Sequence, residues 1–252
     1  MANLRIATYN IHSSIGGDRR ADRDRVLKVL REIDADILGL QEVGATANEE
    51  LEQFNFFRDA LGMEGVAGPT LRRNRTRHGN AILAKGKIRH AHLVDLSVPN
   101  MAPRGAIDSI IELGGHHVRV IVTHLGLLPH ERQQQIARLA ETLTLRSAAV
   151  TVVLGDFNIF GPERTSLQRI GAPAQLPKLR SFPARRPMMS LDRVWTIPNR
   201  HLRSLGVHRT QLSSVASDHL PLVAEIDPEV AHDFAFAPPR RPRLLQRLLA
   251  GL

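Results

Sequence analysis

The chain contains no cysteine. That excludes disulfides, thiol nucleophiles and thiolate metal sites, and it is compatible with a reducing cytoplasm, the location expected from the sequence. Aromatic residues are scarce, with eight Phe, one Tyr and one Trp in 252 residues. So few leave little material for base-stacking platforms, which disfavours reading of single-stranded nucleic acid by stacking. Lysine is nearly absent as well: Lys28, Lys85, Lys87 and Lys178 stand against 30 arginines. The longest apolar run, Ala148–Leu154, falls far short of the ~20 residues that cross a bilayer. The segment MANLRIATYNIH shows no basic stretch followed by an apolar core, so no signal peptide is expected and the chain reads as soluble. Glycine-rich phosphate loops, zinc-type spacings and a Gly-x-Ser-x-Gly elbow are all missing. Covalent acyl chemistry therefore lacks its nucleophile.

What is present is a basic, foldable chain. Its formal net charge is +9, with 42% hydrophobic and 23% charged residues. A chain of this size buries roughly 70–75% of its unfolded surface and needs no staple. Arginine offers a planar fork to phosphate, and a basic protein attracts polyanions, so the charge points toward phosphate-bearing partners. A GC-rich genome that writes arginine wherever a cation will do would produce the same composition, and composition does not separate the two.

Hydrophobic periodicity lays out two similar halves. Leu4–Tyr9 alternates and ends at Asn10, a helix is expected over Ala21–Ile33, and a short buried strand Ile37–Leu40 runs into Gln41-Glu42. A second helix is expected around Glu49–Leu61. Strands are expected at Ala81–Ala84, Ala106–Leu113 and His117–Thr123, the last two joined by a Gly114-Gly115 turn. The pattern then recurs as a strand ending in Thr123-His124, a helix from His130 to Leu145, and the strand VTVVLGDFN. Such halves suggest two sheets packed face to face, helices outside, with polar strand ends meeting at one rim. Further strands are expected in SLDRVWTI, HLRSLGVHR and the closing VASDHLPLVAEI. After residue 228 the composition changes: residues 229–252 read as a basic Pro/Arg/Leu-rich tail, in which Pro238–Leu252 holds four arginines, no acid and so +4 of the +9. This tail is a candidate for peripheral membrane contact as a basic amphipathic segment, or for a frayed or docked end.

Five places set polar residues directly after apolar strands: Tyr9-Asn10, Gln41-Glu42, Thr123-His124, Gly155-Asp156-Phe157-Asn158 and Ser217-Asp218-His219. Each alone has a structural explanation as a turn, a cap or a satisfied core histidine. Together they must converge if the strands share a pair of sheets, and burying so many polar groups without a task is costly. Carboxylate and carboxamide oxygens suit a hard cation such as Mg²⁺. Two histidines can move protons or hold a phosphate oxygen. The combination fits phosphodiester hydrolysis by an activated water.

The series TYNIH, LQEV, GNAIL, PRGA, THLG, LGDFN, LDRVW and SDHLPL, in this order, resembles the endonuclease/exonuclease/phosphatase (DNase I-like) superfamily, over Leu4 to Ile226. LGDFN paired with a later SDH is the specific part. The resemblance implies an α/β fold, a four-layer α/β/β/α sandwich of two packed mixed sheets over residues 1–228, with a Mg²⁺-dependent site between the sheet edges and Mn²⁺ as a substitute. It implies Glu42 as principal metal ligand, Asn10 beside it, and Asp218 reaching the metal directly or through water. Asp156 would orient or deprotonate the attacking water, and Asn158 would bond the phosphoryl oxygens. His219, oriented by Asp218, would contact the scissile phosphate or act as an acid–base partner, while His124 would sit near the leaving group. Asp192 would brace a catalytic partner, and Asn80 and Arg104 would bind substrate phosphate. Two departures weigh against abasic-site repair: His12 stands where such relatives carry an acid or amide, and no mid-chain tyrosine is present. Arg193 stands where many relatives have histidine.

Two arginine clusters, Arg72–Arg77 and Arg185-Arg186, are candidates for an electrostatic rim or for solvated loops. The expected function is a metal-dependent phosphodiesterase acting as a monomer, with a nuclease placed ahead of a lipid or small-molecule phosphodiesterase or phosphatase. A catalytically silent phosphate-binding module and a membrane-surface adaptor working through the tail are the competing readings.

Overall fold

The computed structural model describes residues 3–45, 51–70, 77–160 and 162–229. The tail beyond residue 229 and residues 71–76 of the first arginine cluster lie outside them, as does the predicted start of the second helix. Among the described residues, no helix is long and apolar enough to cross a membrane.

Among the described residues, eleven strands form two mixed sheets. In chain order they are β1 (Leu4–Asn10), β2 (Ile37–Ala45), β3 (Glu64–Thr70), β4 (Arg77–Ala84), β5 (Lys87–Asp95), β6 (Gly105–Leu113), β7 (His116–His124), β8 (Val150–Asp156), β9 (Asp192–Ile197), β10 (Leu202–Val207) and β11 (Leu222–Ile226). One sheet has the order β10-β11-β1-β2-β4-β3, the other β5-β6-β7-β8-β9. The expected halves are two parallel β-α-β units. β1 and β2 are bridged by α1 (Arg23–Ile33), and β7 and β8 by α3 (Pro129–Thr144).

Three apolar layers separate four structural ones, so the expected α/β/β/α sandwich is what forms. Ile6, Ile37, Ile82, Val120, Val122, Val152 and Leu154 meet between the sheets. Val26, Leu30 and Ile33 of α1 and Phe54 and Phe57 of α2 (Glu52–Leu61) cover the outer face of the first sheet. Ile136 and Leu139 of α3 pack with Phe157 and Trp195 on the outer face of the second. Each residue of β8 is buried, because a parallel strand covered on both faces has no solvent side to mark with polar residues.

Local chemistry sets the ends. α1 begins two residues later than its pattern because the Asp22 carboxylate accepts the Arg25 N–H as an N-cap, and it ends where Asp34 turns left-handed at φ 48°. α3 starts on Pro129, whose missing N–H is no loss in a first turn. Inside the protein, Asp108 and Arg119 pair through two bonds of 2.8 and 2.9 Å. Arg119 also donates to the carbonyls of Thr142, Leu143 and Arg146, tying the C-terminal end of α3 to the sheet.

The differences from expectation lie at sheet margins. The sequence pattern does not mark β3 and β5: both are edge strands, β3 carries Gly65, Gly68 and Pro69, and β5 is exposed along most of its length. Edge strands need no alternating apolar face and tolerate residues that interior strands reject. Phe157-Asn158 and Val215–Pro221 fall outside the strands expected over them, Val215-Ala216 lying in a short helix.

Candidate active site

Topology gathers the polar strand ends. Asn10 closes β1 beside Gln41 of β2, and His124 closes β7 beside Asp156 of β8. β9 runs antiparallel to β8, so its first residue, Asp192, faces Asp156. β11 runs antiparallel to β1, which brings the preceding Ser217-Asp218-His219 to the same rim.

Two backbone irregularities then aim the carboxylates. Between Leu40 and Val43 the ladder slips, so that Gln41 and Glu42 together oppose the single residue Asn80. This is a bulge, and it holds Glu42 at φ 54°, a conformation costly for a non-glycine residue and concentrated at functional sites. In LGDFN, Gly155 has φ 146°, and a Cβ there would lie 1.9 Å from the Thr123 carbonyl oxygen. Only glycine lets β7 and β8 close at this point and carry His124 against Asp156.

The side chains form one connected network. Asn10 Nδ2 donates to both Glu42 Oε1 (3.2 Å) and Asp156 Oδ2 (3.1 Å). Asp156 Oδ1 accepts the Asn158 N–H at 3.0 Å, an Asx turn that fixes both residues of the motif. Asn158 Nδ2 reaches the Leu125 carbonyl at 3.0 Å and lies 3.1 Å from His124 Nε2. Arg104 approaches the other nitrogen of that ring at 3.2 Å. Asp156 Oδ2 sits 3.7 Å from His219 Nε2, while His219 Nδ1 lies 2.8 Å from Asp192 Oδ2. The Ser181 hydroxyl also donates to Asp192 Oδ2, and the Phe182 ring packs on His219 at 4.9 Å. Glu42, His124, Arg104 and Asn80 line a common pocket with Thr70 and His78.

The two imidazoles are set in opposite protonation states. Burial, and then the Arg104 charge, push His124 down to about 3. That places the ring in its neutral form at pH 7, with Arg104 beside Nδ1 and Asn158 beside Nε2. Burial also opposes charge on His219, but Asp192, Asp156, the Asp192 hydrogen bond and Asp218 together raise it to about 10. One cleft thus holds a neutral imidazole and an imidazolium either side of Asp156.

The expected site residues thus largely converge, with one correction. Asp218 does not orient His219. Asp218 Oδ1 turns instead toward the Ser217 hydroxyl (3.3 Å) and His12 Nδ1 (3.6 Å), and the buried Asp192 takes the orienting place. Asn80 spends its amide on the Gly105 carbonyl at 2.8 Å. Arg193 is buried against the carbonyls of Asp192 and Ile159. Ser181 and Phe182 went unread because they stand in a Pro/Arg loop with no periodicity to flag them.

The donor chemistry suits a hard divalent ion. Among the described residues, Asp156, Asp192 and His219 are the group of three whose ligand atoms all lie within 4.8 Å of one another. Asp192 Oδ1 is buried without a hydrogen-bond partner. Glu42 and Asp156 supply oxygens to the same Asn10 amide, which stands between them. His219 already engages Asp192 through Nδ1, and the oxygens of Glu42, Asp156 and Asn10 suit a hard ion.

A model of the endonuclease/exonuclease/phosphatase family matches residues 7–219. Over 244 residues the chain is 29% identical to the uncharacterized Escherichia coli (strain K12) protein YbhP, covering 89% of this chain and 96% of YbhP. The endonuclease/exonuclease/phosphatase of Bacteroides vulgatus superposes with a TM-score of 0.70 at 17% identity, over 90% of this chain and 99% of that one. The mannosyl-6-phosphatase of Bacteroides thetaiotaomicron VPI-5482 does so with 0.68 at 17% identity, over 89% and 99%. At such identities the structural likenesses speak to the fold.

Proposed function

The chain belongs to the endonuclease/exonuclease/phosphatase family, and we propose that its cleft hydrolyses a phosphodiester with a divalent ion, Mg²⁺ or Mn²⁺, and an activated water. Members of this family are generally hydrolases of phosphoester bonds. The observation that carries the finer reading is the pair of unlike imidazoles around Asp156. Charge builds on phosphoryl oxygens in the transition state, and a fixed cation that needs no reorganisation is the group to meet it. His219, charged and locked by Asp192 and Phe182, fills that role. Asp156 accepts a proton from the attacking water. Arg104 and Asn158 bond phosphoryl oxygens, and neutral His124 stands next to the leaving group. When bound by Glu42, Asp156 and Asn10, the ion supplies Lewis-acid polarisation and a more acidic water.

A nuclease is the first reading of the substrate. A phosphatase or small-molecule phosphodiesterase is the second, favoured by a pocket whose lining, among the described residues, has no aromatic other than histidine, and by the mannosyl-6-phosphatase among similar folds. The test is an activity panel in Mg²⁺ and Mn²⁺ with plasmid, abasic duplex, bis(p-nitrophenyl) phosphate, sphingomyelin, phosphatidyl lipids and inositol phosphates. Glu42→Ala and His219→Ala are expected to abolish whichever activity appears, and EDTA to remove it. Activity that survives both substitutions and EDTA overturns the mechanism.

A further inference from the structure

Beside Asp218 and His219 the chain brings exposed arginines together from three separate segments. The loop that packs on His219 through Phe182 continues through Ala184, whose N–H donates to the Asp218 carbonyl at 2.7 Å, and then presents Arg185 and Arg186. Arg209 donates to the Arg185 carbonyl at 3.4 Å. The turn bearing Arg19 and Arg20 is docked alongside: Gly17 donates to the Val215 carbonyl, and a Cβ on Gly17 would lie 3.3 Å from Arg185 Nε.

All five guanidinium-bearing residues are exposed. The nearby acids are engaged elsewhere. Asp18 pairs with Arg25 at 2.8 Å, and Glu32 accepts from Thr210 and faces His208. Among the described residues, no carboxylate forms a salt bridge with Arg19, Arg20, Arg185, Arg186 or Arg209. Exposed arginines from three segments, brought to one side of the site without a carboxylate partner, make a surface that attracts anions. Arginine's fork is the side chain suited to a phosphate group.

We propose that this rim binds a second phosphate of the substrate, outward of the scissile one on the His219 side. The inference rests on the phosphodiesterase reading and narrows it to substrates carrying more than one phosphate. A nucleic-acid strand and a small polyphosphorylated molecule share this chemistry.

The experiment uses the full chain and its Arg185→Ala/Arg186→Ala/Arg209→Ala variant. A second triple variant, Arg58→Ala/Arg89→Ala/Arg203→Ala, removes the same charge from positions outside the rim. Binding is measured in EDTA by anisotropy of a labelled oligothymidylate and by calorimetry with inositol hexakisphosphate and with inorganic phosphate. The rim variant is expected to bind a polyphosphorylated probe about tenfold more weakly, with the log–log salt slope for the oligonucleotide reduced by about 2. Inorganic phosphate binding and bis(p-nitrophenyl) phosphate hydrolysis are expected to stay unchanged. Loss confined to the oligonucleotide identifies a strand as the source; loss for the hexakisphosphate identifies a small polyphosphate. Equal loss in the control variant, equal loss for inorganic phosphate, or no loss at all overturns the proposal. Reduced binding by the rim variant in a protein that hydrolyses nothing leaves the rim standing and sinks the catalytic reading alone.

Discussion

The charge on His219 is the feature on which the proposed chemistry turns, and Asp192→Asn isolates it. The carboxylate lies 2.8 Å from His219 Nδ1. At an effective dielectric of about 20, a unit charge at that distance contributes about 4–6 kcal/mol to holding the proton. Asparagine keeps the shape and can still accept the Nδ1–H, so what is lost is the charge. At about 1.4 kcal/mol per pH unit, the ring should drop from about 10 by about 3, toward neutrality, with Asp156 at 3.7 Å still supporting it. The assay is an NMR titration of the imidazole resonances in metal-free protein, with His219→Ala identifying the signal among twelve histidines. Activity at pH 8 should fall about 10–100-fold, following the fraction of rings still protonated, and recover on acidification. Stability carries a second signature. Because the folded value lies above the ordinary 6.5, the contribution of the pair is fully present below pH 6.5 and is lost as pH rises through about 10. The stability deficit of Asp192→Asn should therefore be large in mild acid and shrink in alkali. A ring that still titrates near 10 in the variant would refute the reasoning, because Asp192 would then not be its charge partner.

His124 predicts the opposite limb. Its folded value of about 3 lies below the ordinary 6.5, so its contribution is complete above pH 6.5 and drains away as pH falls toward 3. A His124→Asn protein should lose less stability than the parent over that window in urea titrations at stepped pH. Gly155→Ala drives a methyl into the Thr123 carbonyl and should cost about 3 kcal/mol or more, read as a lowered urea midpoint. An unchanged midpoint would mean that β7 and β8 are not tightly closed there. Asp108→Ala strands the buried Arg119 charge and should cost about 3–5 kcal/mol, whereas Asp108→Ala combined with Arg119→Met should recover part of it. Failure of the double variant to recover would place the loss in packing of α3 rather than in the uncompensated charge.

Much of this protein follows from its sequence alone. The repeated strand–helix–strand halves, the buried run Val150–Leu154 and the apolar faces of α1 and α3 are local periodicities, and local periodicity is what the backbone geometry of helices and strands reads out. The site residues were legible for the same reason, since polar groups set directly after apolar strands break a pattern. What the chain pattern could not carry was direction. Asp192 and Asp218 are both acids near a strand end, and nothing in their neighbours distinguishes the one that faces His219. The choice is made by β9 lying antiparallel to β8, a contact between distant segments. The same holds for the charges of the two histidines, which follow from burial and from carboxylates and an arginine contributed by other strands. The arginine rim is likewise assembled from three segments far apart in sequence. Residue types and their order set which chemistry is available. Tertiary packing decided which groups share a low-dielectric cleft, and so which of them carries the proton.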